Sequence, residues 1–191
     1  MQRAIIDGKE TTGITTMYMD VGLDTGDMIL KDEIVIEDSD NFETIHDKLG
    51  ALGADLLVKT VALIKEGNAP AEKQDDTRAT YAAKIEKADC LIDFSRSARE
   101  IHCLIRGLSP IPLSFTHTAD GKLLKVISAE RVDKSYDAPA GTVVSLDDGG
   151  ITVACGEDAV KLTYVLPEGK GRMPAADFIR GRKVSLGDIL K

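Results

Sequence analysis

Asp20-Val21-Gly22-Leu23-Asp24-Thr25-Gly26-Asp27 places three carboxylates and two glycines within eight residues, between two segments that read as strands. Like charges so close together repel, and burying one without a partner costs several kcal/mol or forces it to take a proton. A carboxylate among glycines can orient a base or carry a proton, because glycine lets a ligand approach the backbone closely. An acidic hairpin turn, in which Asp and Gly only satisfy local geometry, is the other reading of the same residues. The remaining chemistry-bearing residues are scattered. Cys90, Cys103 and Cys155 have no C-x-x-C spacing, so neither a disulfide framework nor a zinc site is expected. Of His46, His102 and His117, only His102 adjoins a cysteine, and neighbours on a helix do not face each other. No metal is expected.

The elements that must position the loop are readable. Ile14–Asp20 alternates and is rich in β-branched residues, and Met28–Ile36 follows the loop as a second strand. Asp40, with Glu43 three residues on, reads as the N-cap and capping box of a helix. Phe42, Ile45, Leu49, Leu52, Leu56, Val61 and Leu63/Ile64 form an apolar stripe at helical spacing, expected to pack as core. Gly67-Asn68-Ala69-Pro70 stops that helix, and the polar residues 70–88 read as an interdomain linker. A second helix begins at Ser95–Ala98 and ends at Gly107 and Pro110. Short alternating runs at 113–118, 123–132, 141–146, 151–155 and 160–166, separated by turns, then suggest a small antiparallel barrel. Pro174–Ile179 reads as a closing helix.

Composition narrows the class. With 191 residues and 43% hydrophobic residues the chain can build one domain or two small ones. Tryptophan is absent and aromatics are 4%, which argues against an aromatic platform for bases. There is no apolar run of membrane-spanning length and no signal-peptide pattern, so the cytoplasm is the expected location. The net charge of −8 is uneven: residues 1–88 carry 10 Lys and Arg against 18 Asp and Glu, and residues 89–191 carry 14 of each. Duplex DNA is a poor partner for such a chain, whereas a local basic face on the second half is compatible with it.

Several strings resemble the methionyl-tRNA formyltransferase family: Gln2-Arg3-Ala4-Ile5-Ile6, Thr12-Gly13-Ile14-Thr15 and Met19 through Met28. The second half adds Thr80-Tyr81-Ala82-Ala83-Lys84-Ile85, Ile92-Asp93-Phe94, Ile105 through Pro110 and Pro167 through Met173. The resemblance implies formyl transfer from 10-formyltetrahydrofolate to the amino group of methionine on initiator tRNA. It implies a fold of α/β plus all-β type: a Rossmann-like catalytic domain, a linker, and a small OB-like β-barrel that helps to hold tRNA. On this chain that gives residues 1–67 as the C-terminal part of the catalytic domain, 68–87 as linker and 88–191 as the barrel. It also implies that the chain is a C-terminal part of such an enzyme, lacking the family's asparagine and histidine and inactive alone.

The resemblance further implies Asp24 as the catalytic aspartate, which holds the histidine charged and oriented, and Val21, Gly22 and Leu23 as backbone contacts to the folate. Asp20 and Asp27 are expected to cap the loop. Lys84, Lys87, Arg106, Lys170, Arg172, Arg180, Arg182 and Lys183 form the expected phosphate-contacting set. An incomplete sheet would also expose an edge and an apolar helix face, giving self-association through the first part. Two other readings stand: another 10-formyltetrahydrofolate-dependent formyltransferase, and a non-catalytic RNA-binding module.

Overall fold

The computed structural model describes residues 1–191 and contains two compact units. One comprises Met1 and Lys9–Ala83, the other Gln2–Gly8 and Lys84–Lys191. In chain order the elements begin with α1 (Gln2–Ile6), β1 (Thr11–Met17), β2 (Met28–Val35) and α2 (Phe42–Lys65). They continue with α3 (Ala98–Gly107), β3 (Ser114–His117), β4 (Leu123–Val132) and β5 (Val143–Asp147). Then come β6 (Gly150–Ala154), β7 (Ala159–Pro167), β8 (Met173–Pro174) and α4 (Ala175–Arg180). The architecture is mixed α/β with antiparallel sheets. No helix is long and apolar enough to cross a membrane.

In the first unit β1 and β2 pair from Thr11↔Val35 to Thr16↔Leu30, with a register shift before Met17↔Met28. One face of α2 covers this hairpin, burying Ile45, Leu49 and Leu56 with Ile29 and Ile36 of the β2 segment. The buried Thr60 hydroxyl donates to the Leu56 carbonyl and meets the Thr16 hydroxyl at 2.9 Å, so the polar atoms in this small core are satisfied.

Two local expectations are corrected. The N-cap of α2 is Asn41, whose Oδ1 accepts from the Thr44 amide while Thr44 Oγ1 accepts from the Asn41 amide. Asp40 is instead buried, accepting from the Glu37 amide and Thr44 Oγ1 and pairing with Lys48 at 2.7 Å. The apolar stripe is only half core. Val61 and Ile64 are exposed together with Leu57 and Val58, because two strands offer too little area to cover a 24-residue helix. The strip they form is uncovered in the single copy described.

The polar segment after α2 is tied down by backbone. Glu72 exchanges both hydrogen bonds with Met28, at 2.7 and 2.9 Å, extending the hairpin by one bridge. Residues through Ala83 accordingly belong to the first compact unit, and Lys84–Lys87 to the second.

The second unit is built on a sheet with strand order β3-β4-β7-β6-β5, β8 pairing with β7. Leu124, Val126, Val143, Ile151, Val153, Val160, Leu162 and Val165 form its buried face, joined by Ile101, Ile105 and Leu108 from the α3 segment and Phe178 of α4. The β4–β7 register shifts around Ser128, as it does at a β-bulge. Helix α3 starts with a full capping box between Ser97 and Glu100. Helix α1, which sequence periodicity does not reveal, packs on α3 with Ile5 fully buried. Gly107 permits this approach: a Cβ there would stand 2.6 Å from the Ile6 side chain.

A closed barrel is not found. The strand pairings end at β3 on one side and β5 on the other. The C-terminal segment bonds to both ends instead. Lys191 exchanges backbone hydrogen bonds with His117 at 2.7 and 3.0 Å, while the Leu190 amide donates to Gly141 and the Asp188 carbonyl accepts from Val143. Leu190 is buried in the core beneath this strap.

Truncating Leu190 to Ala should cost about 2–5 kcal/mol, the usual range for a buried leucine, seen as earlier urea unfolding of the second unit by amide exchange. Acid should act on the first unit through Asp40. Burial pushes its carboxyl up, but hydrogen bonds from Lys48, the Glu37 amide and Thr44 outweigh this and hold it below the ordinary range. That stabilisation is present above the unfolded carboxyl value, about pH 4, and is lost as pH falls through the folded value. Asp40→Asn should therefore lower stability at neutral pH and flatten its decline in acid.

Candidate functional site

The acidic loop is drawn shut at its base, where the Tyr18 amide donates to the Asp27 carbonyl at 2.9 Å. Gly26 is required there, since a Cβ would stand 1.7 Å from the Tyr18 carbonyl oxygen. Asp20 Oδ1 accepts from the Val21 amide at 2.8 Å, while Asp27 closes the loop through its backbone. Asp24 sits at the tip with φ of 55°, a left-handed conformation that aspartate tolerates better than most residues.

Asp24 is exposed, and its carboxylate makes no hydrogen bond or ion pair. The side chains of Val21 and Leu23 stand fully in solvent, as does Met19, so by themselves these residues enclose nothing. No histidine is bonded to Asp24: His46 meets Asp47, and His117 meets the Lys191 carbonyl.

What holds the loop is a residue that the sequence does not single out. Gln74 Nε2 donates to the carbonyls of Asp24 and Gly26, both at 2.8 Å, and lies 3.8 Å from Met17 Sδ. The signal was hidden because Gln74 lies in a polar stretch with no periodicity, 50 residues from its target.

The basic residues separate into groups. Lys84 and Lys87 are exposed at the start of the second unit, where the Lys84 carbonyl accepts from Arg3. Arg106 is 9% exposed and directs Nη2 to Cys103 Sγ at 3.7 Å, so its burial withholds it from a phosphate in this conformation. Arg180 is exposed but bonded to Asp177. Lys170, Arg172, Arg182 and Lys183 are exposed and make no side-chain hydrogen bond or ion pair. Of these, Lys170 and Lys183 share the rim of one cavity.

On the same rim, hydrogen bonds from Lys122 first and Thr118 second hold the Asp120 carboxyl down to about 2. No group of His, Cys, Asp or Glu converges as metal ligands would. Burial pushes the Cys155 thiol up to about 11, which leaves it protonated and unreactive at neutral pH.

Comparison with known proteins gives two family matches. Residues 84–183 match "Formyl transferase, C-terminal domain", and residues 1–61 match "Formyl transferase". Methionyl-tRNA formyltransferase of Bacillus subtilis (strain 168) is 46% identical over 188 residues, covering 98% of this chain and 59% of the relative. The chain thus spans about three fifths of the length of the curated relatives it matches. Among solved structures, HypX from Aquifex aeolicus in complex with tetrahydrofolic acid aligns with a TM-score of 0.69 at 15% identity, covering 93% of this chain and 31% of that one. An N-formyltransferase from Helicobacter canadensis, in complex with folinic acid and dTDP-3-aminofucose, aligns at 0.65 and 17%, covering 83% and 58%. These structural likenesses are of fold.

Replacing Gln74 by Ala should release the loop while sparing the hairpin. The Tyr18 amide, bonded to the Asp27 carbonyl at the loop base, should exchange at least tenfold faster, with exchange in β1 and β2 little changed; equal protection in the variant would show that the clamp is idle. Gly26→Ala should disrupt the hairpin itself, visible as loss of the Thr16–Leu30 pairing by NMR.

Proposed function

The chain belongs to the formyl transferase family, and from this we propose that it serves the reaction of a methionyl-tRNA formyltransferase. The formyl donor is 10-formyltetrahydrofolate and the acceptor is the amino group of methionine on initiator tRNA. The observation that carries this reading is the 46% identity to a methionyl-tRNA formyltransferase along nearly the whole chain. The N-formyltransferase of Helicobacter canadensis and HypX share the fold at 17% and 15% identity, a likeness that does not bear on the acceptor.

In the reaction the acceptor amine attacks the formyl carbon and forms a tetrahedral intermediate. The bond from that carbon to the folate nitrogen then breaks, the amine loses a proton and the folate nitrogen gains one. Donors must stabilise the oxyanion and a relay must move the proton. Asp24, at the tip of a loop pinned through its own carbonyl, is the group to hold a protonated histidine in place or relay the proton through water. Val21, Gly22 and Leu23 present backbone groups beside it for the folate. In the second unit the strap across β3 and β5 supports reading the sheet as an OB-like barrel. Lys84, Lys87, Lys170, Arg172, Arg180, Arg182 and Lys183 are its phosphate contacts, and Arg106, buried on α3, would have to emerge to join them.

Initiator tRNA should bind the 191-residue chain with an affinity that falls steeply between 50 and 200 mM salt, as phosphate contacts require (roughly one counterion released per contact). Charge reversal at Lys170 and Arg172 should weaken binding about tenfold and shallow the salt slope. Binding indifferent to salt and to these changes would count against the reading. Formyl transfer by the isolated chain should be negligible, because members of a catalytic group act together rather than additively. Turnover equal to that of the Bacillus subtilis relative would overturn that expectation.

A further inference from the structure

The cavity on whose rim Lys170 and Lys183 meet has a volume of about 400 Å³, within the usual range for a ligand site. Three chain segments build it: the β3–β4 turn, the β7–β8 turn, and α4 with the residues after it. Leu123, Pro167, Met173 and Phe178 give it an apolar lining.

Charge on the rim is asymmetric in availability. Asp120 is bonded to Lys122, Asp177 to Arg180, and Glu168 Oε2 accepts from the Leu123 amide at 3.3 Å. Lys170 and Lys183 have no such engagement. An apolar slot flanked by two unengaged ammonium groups suits a flat, uncharged ring that carries an anionic group beside it. A smaller cavity of about 240 Å³ adjoins the first, sharing Asp120 and Lys183 and continuing past Arg182 and Ser185. Lys183 therefore lines both concavities, as a phosphate contact between two successive nucleotides would.

We propose that this cavity takes one unstacked base of an RNA strand, with the adjoining phosphates on Lys170 and Lys183 and the next nucleotide in the smaller cavity. The inference rests on the tRNA reading above and adds a base-accepting site to it. It also accommodates the scarcity of aromatic residues. A single slot lined by Leu123, Pro167 and Met173, with the edge of the largely buried Phe178, does without the several exposed rings that an open stacking platform needs.

Gly181 supplies a selective test. It lies on the cavity wall with φ of −72°, and a Cβ there would meet nothing closer than 3.4 Å. Gly181→Phe should thus place a ring in the cavity without backbone strain, with an unchanged melting curve confirming the fold.

Initiator tRNA binding is measured on the full 191-residue chain across a salt series for wild type, Gly181→Phe and Lys183→Glu. Gly181→Phe should weaken binding about tenfold with the salt slope unchanged, because a lost base contact releases no counterions. Lys183→Glu should weaken binding and reduce the slope by about one or more.

Wild-type affinity in Gly181→Phe alongside a weakened Lys183→Glu would overturn base insertion and leave phosphate contact, and the tRNA reading, intact. An unfolded Gly181→Phe transfers the test to Met173→Ala, where undiminished affinity overturns the proposal equally. Uridine and adenosine monophosphates serve as the second probe. Binding of either as tight as that of tRNA would assign the cavity to free nucleotides instead, and absence of tRNA binding in the wild type would remove both readings together.

Discussion

The antiparallel ladder between β4 and β7 is the interaction on which the second unit depends. Its register sets Leu124 opposite Pro167 and Val132 opposite Ala159, so the turn before β4 and the turn after β7 emerge at the same end of the sheet. The Glu168 amide then donates to the Leu123 carbonyl at 3.0 Å, stitching the two turns together. A slip of one residue would turn Val126, Val160, Leu162 and Val165 out of the core, so burial enforces the register. The place of Lys122, Glu168 and Lys170 around one cavity is a consequence of that register. With α4 laid against β6 and β7, Phe178, Gly181 and Lys183 line the same cavity.

The first unit rests on a weaker foundation. Its hairpin has a single helix over one face, and the opposite side of α2 is apolar and exposed at Leu57, Val58, Val61 and Ile64. What makes the acidic loop definite in shape is backbone hydrogen bonding. The Tyr18–Asp27 closure and the two bonds from Gln74 fix the carbonyls at 24 and 26, so the Asp24 carboxylate projects from a braced turn. Bracing through the main chain leaves the Asp24 side chain exposed and unengaged.

Much of this was legible from residue pattern. The strands 123–132 and 28–36, the capped helix after Ser97 and the proline-led closing helix all rest on local signals, and each appears within a residue or two. Features that rest on distant or main-chain contacts were not. The five residues of α1 are too few to show a period, and only packing on α3 makes them a helix. Asp40 looked like a cap because its spacing to Glu43 fits one; the adjacent Asn41 won the position, and Lys48 drew Asp40 inward. Gln74 and the C-terminal strap act through backbone carbonyls and amides, which carry no side-chain signature. The acidic loop stood out by composition, Asp24 within it was singled out only by the family resemblance, and Lys170 and Lys183 by charge. Their arrangement around an apolar cavity required the β4–β7 register, and Arg106, polar in sequence, is buried in the fold.

The proposed meeting place of nucleic acid with the second unit is where the two turns and α4 converge. Hydrogen-exchange footprinting of the chain with initiator tRNA probes it. Residues 168–173 and 181–185 should be protected, with the first unit's α2 unaffected. Protection confined to other surfaces of the second unit, or none at these turns under saturating tRNA, would contradict it.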